Sequence, residues 1–187
     1  MSIDQIIDNV FPVPYLSKLT LKNSFEKVHY PKYHVIIRAD RVEDNIFFIK
    51  KGIARAFSRS EDSELTFWFG KEGDPAISLK SYVANQKGYE FIELLEDSEL
   101  YFINKVNLEK LFEQDVHVAN WGRKFAEQQL LKLEEWLISR QFKTAKERYL
   151  NLLKDNPEFV QRIQLRHIAS FLGITQVSLS RIRSSIE

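Results

Sequence analysis

The chain has 187 residues, of which 44% are hydrophobic and 28% are charged, and its formal net charge is +1. This composition is typical of a globular protein with a sizeable core, and the net charge alone points to neither a nucleic acid nor a membrane. The absence of cysteine excludes disulfides, thiol catalysis, cysteine-held iron–sulfur clusters and cysteine-based zinc sites. The N-terminus lacks the basic segment of a signal peptide and no apolar run approaches the roughly 18 residues of a membrane span, so we expect a cytoplasmic protein.

The first hundred residues change from a helical to a strand pattern. Residues 2–22 predict one or two short helices, interrupted by Pro12 and Pro14. Residues 24–103 predict strands, because short aromatic and β-branched runs alternate there with turn sequences. The runs are FEKVHY, HVIIR, NIFFIKKG, IARAFSRS, ELTFWFG and ELYFINK. Their aromatic residues are expected in the core: Phe47, Phe48, Phe57, Phe67, Trp68 and Phe69. This punctuation predicts an antiparallel barrel, sandwich or jelly roll.

A long helix is predicted from Val116 to Ile138, after a short one at NLEKLFEQ. One apolar stripe of the long helix has near-heptad spacing, with small residues at its N-terminal end. Its members are Ala119, Gly122, Ala126, Leu130, Leu133 and Leu137. A second stripe comprises Val118, Trp121 and Phe125. We interpret the first stripe as an interface with the same helix of a second copy, and the second as the contact with the β domain. Burial of both stripes in a monomeric bundle is the alternative.

The last part of the chain predicts further helices. KTAKERYLNLLKDN (143–156) is amphipathic, with Tyr149, Leu152 and Leu153 inward, and Pro157 ends it. The following FVQRIQL is expected to supply one short strand. The residues from 139 onward contain nine Lys/Arg and four Asp/Glu, a net charge of +5, whereas the rest of the chain carries −4. This segregation favours a phosphate-contacting C-terminal region.

The sequence IASFLGITQVSLSRIR (168–183) predicts two helices joined by a tight turn. Gly173 follows a helical run and can adopt the left-handed conformation that ends a helix, and Thr175 is a good N-cap for the next one. The inward positions fit the skeleton of a helix-turn-helix: Ile168, Ala169, Leu172, Gly173, Ile174, Leu179 and Ile182. The outward positions carry no acidic residue, which suits a polyanion. An ordinary αα-hairpin within another core is the alternative.

The order of these elements resembles the Crp/Fnr-type transcription regulators. The similar segments are FFIKKGIARAF, FWFGKEGD, LLEDSELYFINK and, most specifically, the predicted helix-turn-helix. The resemblance implies an α+β fold with a cyclic-nucleotide-binding-type jelly roll, a long dimerisation helix and a C-terminal winged helix-turn-helix. It implies a homodimer on a two-fold operator, with RNA polymerase as a possible partner and an unidentified small-molecule effector. The expected domains are residues 1–114 (jelly roll), 115–140 (dimerisation helix) and 141–187 (DNA-binding).

The expected effector pocket departs from the pattern of cyclic-nucleotide binders. In the resemblance, a Gly-Glu pair that holds ribose corresponds to Ile77 and Ser78, and an Arg-Ser pair that holds the cyclic phosphate corresponds to Gly88 and Tyr89. No arginine occurs between Arg59 and Arg123. A buried phosphate favours a bidentate, permanently charged partner, for which a lysine such as Lys80 would be only a point-charge substitute. We therefore predict no tight binding of cAMP.

Neither a metal site nor a cofactor is expected. The candidate histidine ligands are His29, His34, His117 and His167. His29 and His34 are five residues apart, so on one continuous strand they would face opposite sides. His167 is expected on the helix-turn-helix surface, and the others as ordinary surface or core histidines. No catalytic residue is assigned.

The resemblance places the start of the recognition helix near Thr175. Arg181 is then our first choice for a bidentate contact with guanine, Gln176 for one with adenine, and Val177 for contact with a thymine methyl group. Thr175 itself is counted among the DNA-binding residues, and phosphate contacts are expected from Ser178, Ser180, Arg183, Arg166 and His167.

A homodimeric transcription regulator is the leading function on these grounds. A ligand- or protein-binding module whose helix-turn-helix does not bind DNA is the alternative. An enzyme with a cupin-like jelly roll is the weakest candidate, since the strands lack a clustered His/Glu metal set.

Overall fold

The computed structural model describes residues 1–61 and 63–186. Its helices are α1 (Ile3–Val10), α2 (Tyr15–Asn23), α3 (Leu79–Ala84), α4 (Lys105–Gln114), α5 (Val116–Phe142), α6 (Ala145–Asp155), α7 (Pro157–Arg162), α8 (Leu165–Leu172) and α9 (Gln176–Ser184). Its strands are β1 (Glu26–Tyr30), β2 (Val35–Ile37), β3 (Ile46–Lys51), β4 (Ala54–Arg59), β5 (Glu64–Gly70), β6 (Pro75–Ala76), β7 (Phe91–Leu94) and β8 (Ser98–Ile103). The mixed helix and sheet class expected from the sequence is confirmed.

The strands form two antiparallel sheets that face each other as a jelly roll. One sheet has the order β1-β8-β3-β6 and the other β2-β7-β4-β5. Alternate side chains of each strand point into the space between the sheets, as the pleat requires. Phe47 and Ile49 of β3, for example, join Ala54 and Ala56 of β4 in this inner core.

The opposite face of β3 and β8 packs against helices. Phe48 of β3 and Ile103 of β8 share a second core with Trp121 of α5, and α1 and α2 contribute to the same core. The indole nitrogen of Trp121 donates a hydrogen bond to the backbone oxygen of Ile7, at 3.0 Å. The N-terminal half of α5 is therefore fixed on the outside of the roll.

The helical C-terminal region also packs on the roll. A third core joins Ile53, Phe69 and Leu95, which flank or belong to the strands, to buried residues of α6, α7, α8 and α9. Helix α8 lies against β5. The roll and the C-terminal helices thus share apolar contacts.

Three details differ from the sequence-based expectations. The strand expected in FVQRIQL is replaced by helix α7, because Pro157 occupies its first turn, where the missing N–H costs nothing and the fixed φ suits a helix. Between Asn104 and Ile186 the structure has no strand, so the C-terminal region carries no β wing. Helix α3 was not predicted within the strand-rich part of the chain.

Candidate nucleic-acid interface

Helices α8 and α9 form the predicted helix-turn-helix. Gly173 takes the left-handed conformation at φ 68°, and the Ile174 N–H closes the turn on the Ala169 carbonyl at 3.0 Å. The Thr175 hydroxyl accepts a hydrogen bond from the Ser178 N–H at 3.1 Å and caps α9. Leu179 of α9 is fully buried against α8 and α6 residues. The turn and this buried leucine together fix the direction of α9.

The outer face of α9 is open to solvent. Gln176, Val177, Ser180 and Arg181 are exposed, and Thr175 is exposed just before the helix. Ser178 and Arg183 are half-buried. The helix contains no Asp or Glu, so no carboxylate of its own opposes an anion approaching this face. Eight of the nine residues proposed for DNA contact are exposed or half-buried. Seven of them lie on α9 or at its N-cap, and the eighth, Arg166, is exposed on α8.

His167 is the exception. Its side chain faces the roll and it is only 5% exposed, so the expectation of a surface histidine is wrong for this structure. Burial lowers the pKa of His167, the Arg55 and Arg166 guanidinium groups lower it further, and it falls to about 4. The imidazole is therefore neutral at pH 7 and cannot act as a cationic phosphate contact. The sequence placed it on α8 but could not show which face of α8 the roll covers.

Polar contacts hold α8 on β5. The Ser170 hydroxyl donates a hydrogen bond to the Glu64 carbonyl at 3.0 Å and accepts one from the Thr66 N–H at 2.9 Å. Beside it, the buried Arg55 pairs with Glu64 and Glu93 and donates to the Thr66 hydroxyl at 3.1 Å. These bonds satisfy the free edge of β5 and a charged group that would otherwise be costly to bury.

A second set of ion pairs joins α7 to the roll. The Arg162 guanidinium contacts the carboxylates of Glu72 and Glu96, and Lys71 pairs with Glu158 at 2.6 Å. Burial raises the pKa of Glu72, but hydrogen bonds from Arg162 and from the Gly52 N–H outweigh burial and hold it at about 2. Arg162 therefore stabilises the contact between α7 and the roll, and its charge does not belong to the exposed face of α9.

The two stripes of α5 have different environments. Val118 and Trp121 are buried against the roll and α1, as predicted for the second stripe. In the predicted dimer stripe, Gly122 faces α4 of the same chain, since a Cβ there would lie 2.5 Å from the Phe112 ring. Ala119 is half-buried, whereas the remaining members, Ala126, Leu130, Leu133 and Leu137, are exposed.

The exposed part of this stripe belongs to a larger apolar surface. Leu131, Ile138 and Phe142 lie beside it and are also exposed, Phe142 by 80%. We call these six large side chains the apolar face of α5: Leu130, Leu131, Leu133, Leu137, Ile138 and Phe142. Within the described chain, burial in a monomeric bundle does not account for them. Leu131, Ile138 and Phe142 follow their own spacing of seven and four residues, a signal that the single-stripe prediction overlooked.

Two of the expected effector-pocket residues, Ser78 and Gly88, lie close to each other and to Glu90. Ser78 is fully buried and Gly88 half-buried, and a Cβ on Gly88 would lie 2.6 Å from the Ser78 hydroxyl and 3.1 Å from both carboxylate oxygens of Glu90. Glu90 is 5% exposed and accepts a hydrogen bond from the Tyr89 N–H at 3.0 Å. The other expected members diverge: Ile77 packs into the core beneath α5, whereas Lys80 and Tyr89 are exposed.

The described residues contain no group of three or more His, Asp or Glu side chains arranged to hold a metal ion. His34 stacks on Tyr30 with ring centroids 4.3 Å apart, and His29 and His117 are exposed. Among the helices of residues 1–61 and 63–186, none combines the length and apolarity needed to cross a membrane.

Comparisons with known proteins agree with this architecture. Residues 27–115 match the family model of the cyclic nucleotide-binding domain. A protein from Eubacterium rectale assigned to the Crp/Fnr family has a TM-score of 0.70 and 17% identity, covering 95% of this chain and 87% of its own. FixK2 of Bradyrhizobium japonicum has a TM-score of 0.70 and 21% identity, with coverages of 87% and 84%. The catabolite activator protein of Thermus thermophilus has a TM-score of 0.58 and 17% identity, with coverages of 97% and 86%. No curated protein matches the sequence.

The roll is therefore similar to the cyclic nucleotide-binding domain over residues 27–115. Over most of its length, the chain has the fold of the Crp/Fnr transcription regulators, and the resemblance drawn from the sequence is confirmed at the level of the fold.

Proposed function

We propose that the protein is a homodimeric transcription regulator of Crp/Fnr type that reads a two-fold operator through α9. The observation that carries this proposal is the exposed, acid-free face of α9, held in a fixed direction by Gly173 and Leu179. Arg181 is proposed to bind guanine, Gln176 adenine, and Val177 a thymine methyl group, because all three side chains are exposed on this face.

Phosphate contacts are proposed for residues of α9 and its N-cap, and for Arg166 of α8. Thr175, Ser178 and Ser180 present hydroxyl groups, and Arg166 and Arg183 present guanidinium groups. Such contacts orient the protein on the duplex and make its affinity depend on salt, but they carry no sequence information. His167 is not part of this set, since it is buried and neutral.

The apolar face of α5 supports the proposed homodimer. Six large apolar side chains along one exposed helix exceed the scattered hydrophobic residues normal on a monomer surface. A second copy of α5 would bury them in a coiled-coil-like contact and would place two copies of α9 on one duplex. We expect Leu133→Asp to convert the protein to a monomer in sedimentation equilibrium. Val106→Asp on α4 is a matched control, because both side chains are 53% exposed in the wild type.

The roll is proposed not to bind cAMP tightly. A phosphate would have to approach the buried Glu90 carboxylate, and the region between Arg59 and Arg123 offers no guanidinium group to neutralise it. The roll then senses a molecule other than cAMP or serves only as a scaffold for the dimer. Calorimetric titration with cAMP should give no heat of binding at micromolar ligand, and a clear isotherm would contradict this assignment.

In-vitro selection of DNA from a random duplex pool tests the proposed function directly. We expect enrichment of a palindrome with half-sites about one helical turn apart. Repeating the selection with a cell metabolite extract would reveal an effector as a change in the enriched fraction. The complex of the protein with the selected DNA can then be mixed with RNA polymerase. Binding of the polymerase to this complex is a prediction that the mixture would test.

A binding module without DNA affinity is the competing function. The observation that favours it is the closeness of the β4–β5 hairpin to the helix-turn-helix, where Ser63, Glu64 and Leu65 line one groove with Thr175 and Gln176. The Glu64 carboxylate there would lie near an incoming phosphate chain. Absence of any enriched sequence at low salt, in a protein shown to be dimeric, would favour this alternative.

A further inference from the structure

Arg148 of α6 bonds to the ends of two other helices. One guanidinium nitrogen, Nη1, donates to the carbonyl of Lys143 at 2.6 Å and to that of Arg140 at 3.5 Å, both at the C-terminal end of α5. The other, Nη2, donates to the carbonyl of Leu172, the last residue of α8, at 2.7 Å. The Arg148 guanidinium therefore contacts the C-terminal ends of both α5 and α8. Helix dipoles favour positive charge at these ends, and the last carbonyls have no partner within their own helix.

The surroundings of Arg148 indicate that its position is constrained. Its Nε is buried and has no hydrogen-bond partner among the described residues, a cost that the bonds of the two Nη atoms must offset. Arg140 lies close to the turn of the helix-turn-helix, since a Cβ on Gly173 would be 3.6 Å from its Nη2. Within residues 1–61 and 63–186, no side chain other than that of Arg148 makes hydrogen bonds both to the end of α5 and to α8.

We infer that Arg148 is a positioning residue, which fixes the angle between the dimerisation helix and the helix-turn-helix. This inference rests on the proposed function, because the angle matters only if α5 pairs with a second copy and α9 enters DNA. In such a dimer the angle between α5 and α9 determines the separation of the two recognition helices. Half-site spacing is a geometric consequence of that separation.

The chemistry requires arginine rather than any cation. The planar guanidinium has donors on both sides of one fork, so it can reach carbonyls of two helices at once. The lysine ammonium is a single point charge on a flexible stem and would hold one carbonyl at a time. Arg148→Lys keeps the charge and removes the fork, whereas Arg148→Gln removes both. Lys154→Gln is the matched control, because Lys154 is an exposed cation on the same helix and, within the part of the chain that the structure describes, it has no hydrogen bond to α5 or α8.

A distance measurement tests the inference without DNA. The chain contains no cysteine, so Glu134→Cys on α5 and Ser184→Cys on α9 give two specific spin-label sites, both exposed. Each labelled protein is diluted with unlabelled protein so that distances within one chain dominate. We expect a narrow distribution for the wild type and Lys154→Gln, and a shifted or broadened one for Arg148→Lys and Arg148→Gln. If Arg148→Gln does not fold, Arg148→Lys decides the result. Unchanged distributions in the folded Arg148 variants would overturn the inference.

DNA binding supplies the second readout. Duplexes carrying the selected half-sites at the optimal spacing, and at one or two base pairs more or less, are compared with a random duplex. Arg148→Lys should lose about tenfold in affinity at the optimal spacing and should discriminate less among spacings, since a charge-assisted hydrogen bond is lost. Its affinity for the random duplex should equal that of the wild type. A uniform loss on all duplexes would overturn the positioning role and make Arg148 a phosphate contact. A wild type that selects no two-fold site would refute the proposed function instead, while the distance measurement would still decide what Arg148 does within the chain.

Discussion

The two helices of the helix-turn-helix differ in how the rest of the molecule uses them. Helix α8 is attached to the roll, with Ile168, Ala169 and Leu172 buried and the Ser170 hydroxyl bonded to the edge of β5. Helix α9 buries only Leu179 and leaves its other positions exposed or half-buried. Substitutions of the buried α8 residues should therefore change folding, and those of the exposed α9 residues should change binding. The difference shows that one short motif can serve both as a structural contact and as a recognition surface.

The largest expected effect is a loss of stability from a substitution in the buried face of α8. Ile168 is fully buried in the core shared by the roll and the C-terminal helices. Ile168→Ala should lower the free energy of unfolding by about 2–5 kcal/mol, the range for a large-to-small core substitution. Urea denaturation followed by circular dichroism measures this change. Val177→Ala on the exposed face of α9 should change it by less than about 0.5 kcal/mol; equal losses in the two variants would remove the contrast between the helices.

The second largest expected effect is a loss of DNA affinity from a substitution on α9. Arg181→Ala should weaken binding to the selected operator by about 1–3 kcal/mol and relax discrimination at one base pair, because a bidentate base contact is lost. Its free energy of unfolding should stay within about 0.5 kcal/mol of the wild type, since the side chain is exposed. Fluorescence anisotropy with a set of single-base operator variants measures both affinity and discrimination. A loss of equal size on every sequence would instead identify Arg181 as a phosphate contact.

Local sequence signals were sufficient for elements whose conformation is fixed by their own residues. The left-handed Gly173 and the capping Thr175 define the turn between α8 and α9 wherever the motif is placed. The alternation of Phe47 and Phe48 across β3 likewise follows from the period of a strand. The six-residue α3 was too short for a periodic signal, although Asn85 ends it in a left-handed conformation that asparagine tolerates.

Tertiary contacts decided what local signals could not. The spacing of Gly122 fits a dimer stripe, yet its missing side chain accommodates Phe112 of α4 in the same chain. His167 was expected to contact phosphate from the surface of the helix-turn-helix, yet it is buried on the face of α8 that packs against β5. Both cases involve residues far apart in sequence, and no helical or strand period reports which face of an element another element will cover.

The pH dependence of stability sharpens the contrast further. His167 titrates at about 4 in the folded protein against an ordinary value of 6.5, so in this interval the unfolded chain binds a proton that the folded chain does not. Above pH 6.5 the imidazole is neutral in both states and burying it carries no protonation cost. As the pH falls from 6.5 toward 4, the free energy of unfolding decreases because the unfolded chain takes up the proton. The charged groups that line the same pocket as His167 are Arg55, Arg59, Glu64, Glu93 and Arg166. Between pH 7 and 5, His167→Gln should therefore show a shallower decline in the free energy of unfolding than the wild type. Parallel declines would show that the imidazole is not excluded from water.

The smallest expected effect concerns the hydrogen bonds that join α8 to β5. Ser170→Ala removes a donor to the Glu64 carbonyl and an acceptor for the Thr66 N–H, so two backbone groups at the β5 edge lose their partner. The free energy of unfolding should fall by about 0.5–1.5 kcal/mol, the net value of an ordinary hydrogen bond. Ser184→Ala on α9 is the control, because among the described residues its hydroxyl bonds only to the Ser180 carbonyl of its own helix. Hydrogen exchange adds a local test, since the Thr66 amide should exchange faster in Ser170→Ala and at the wild-type rate in Ser184→Ala. If Ser170→Ala left that amide fully protected, the attachment of α8 would depend on apolar packing alone.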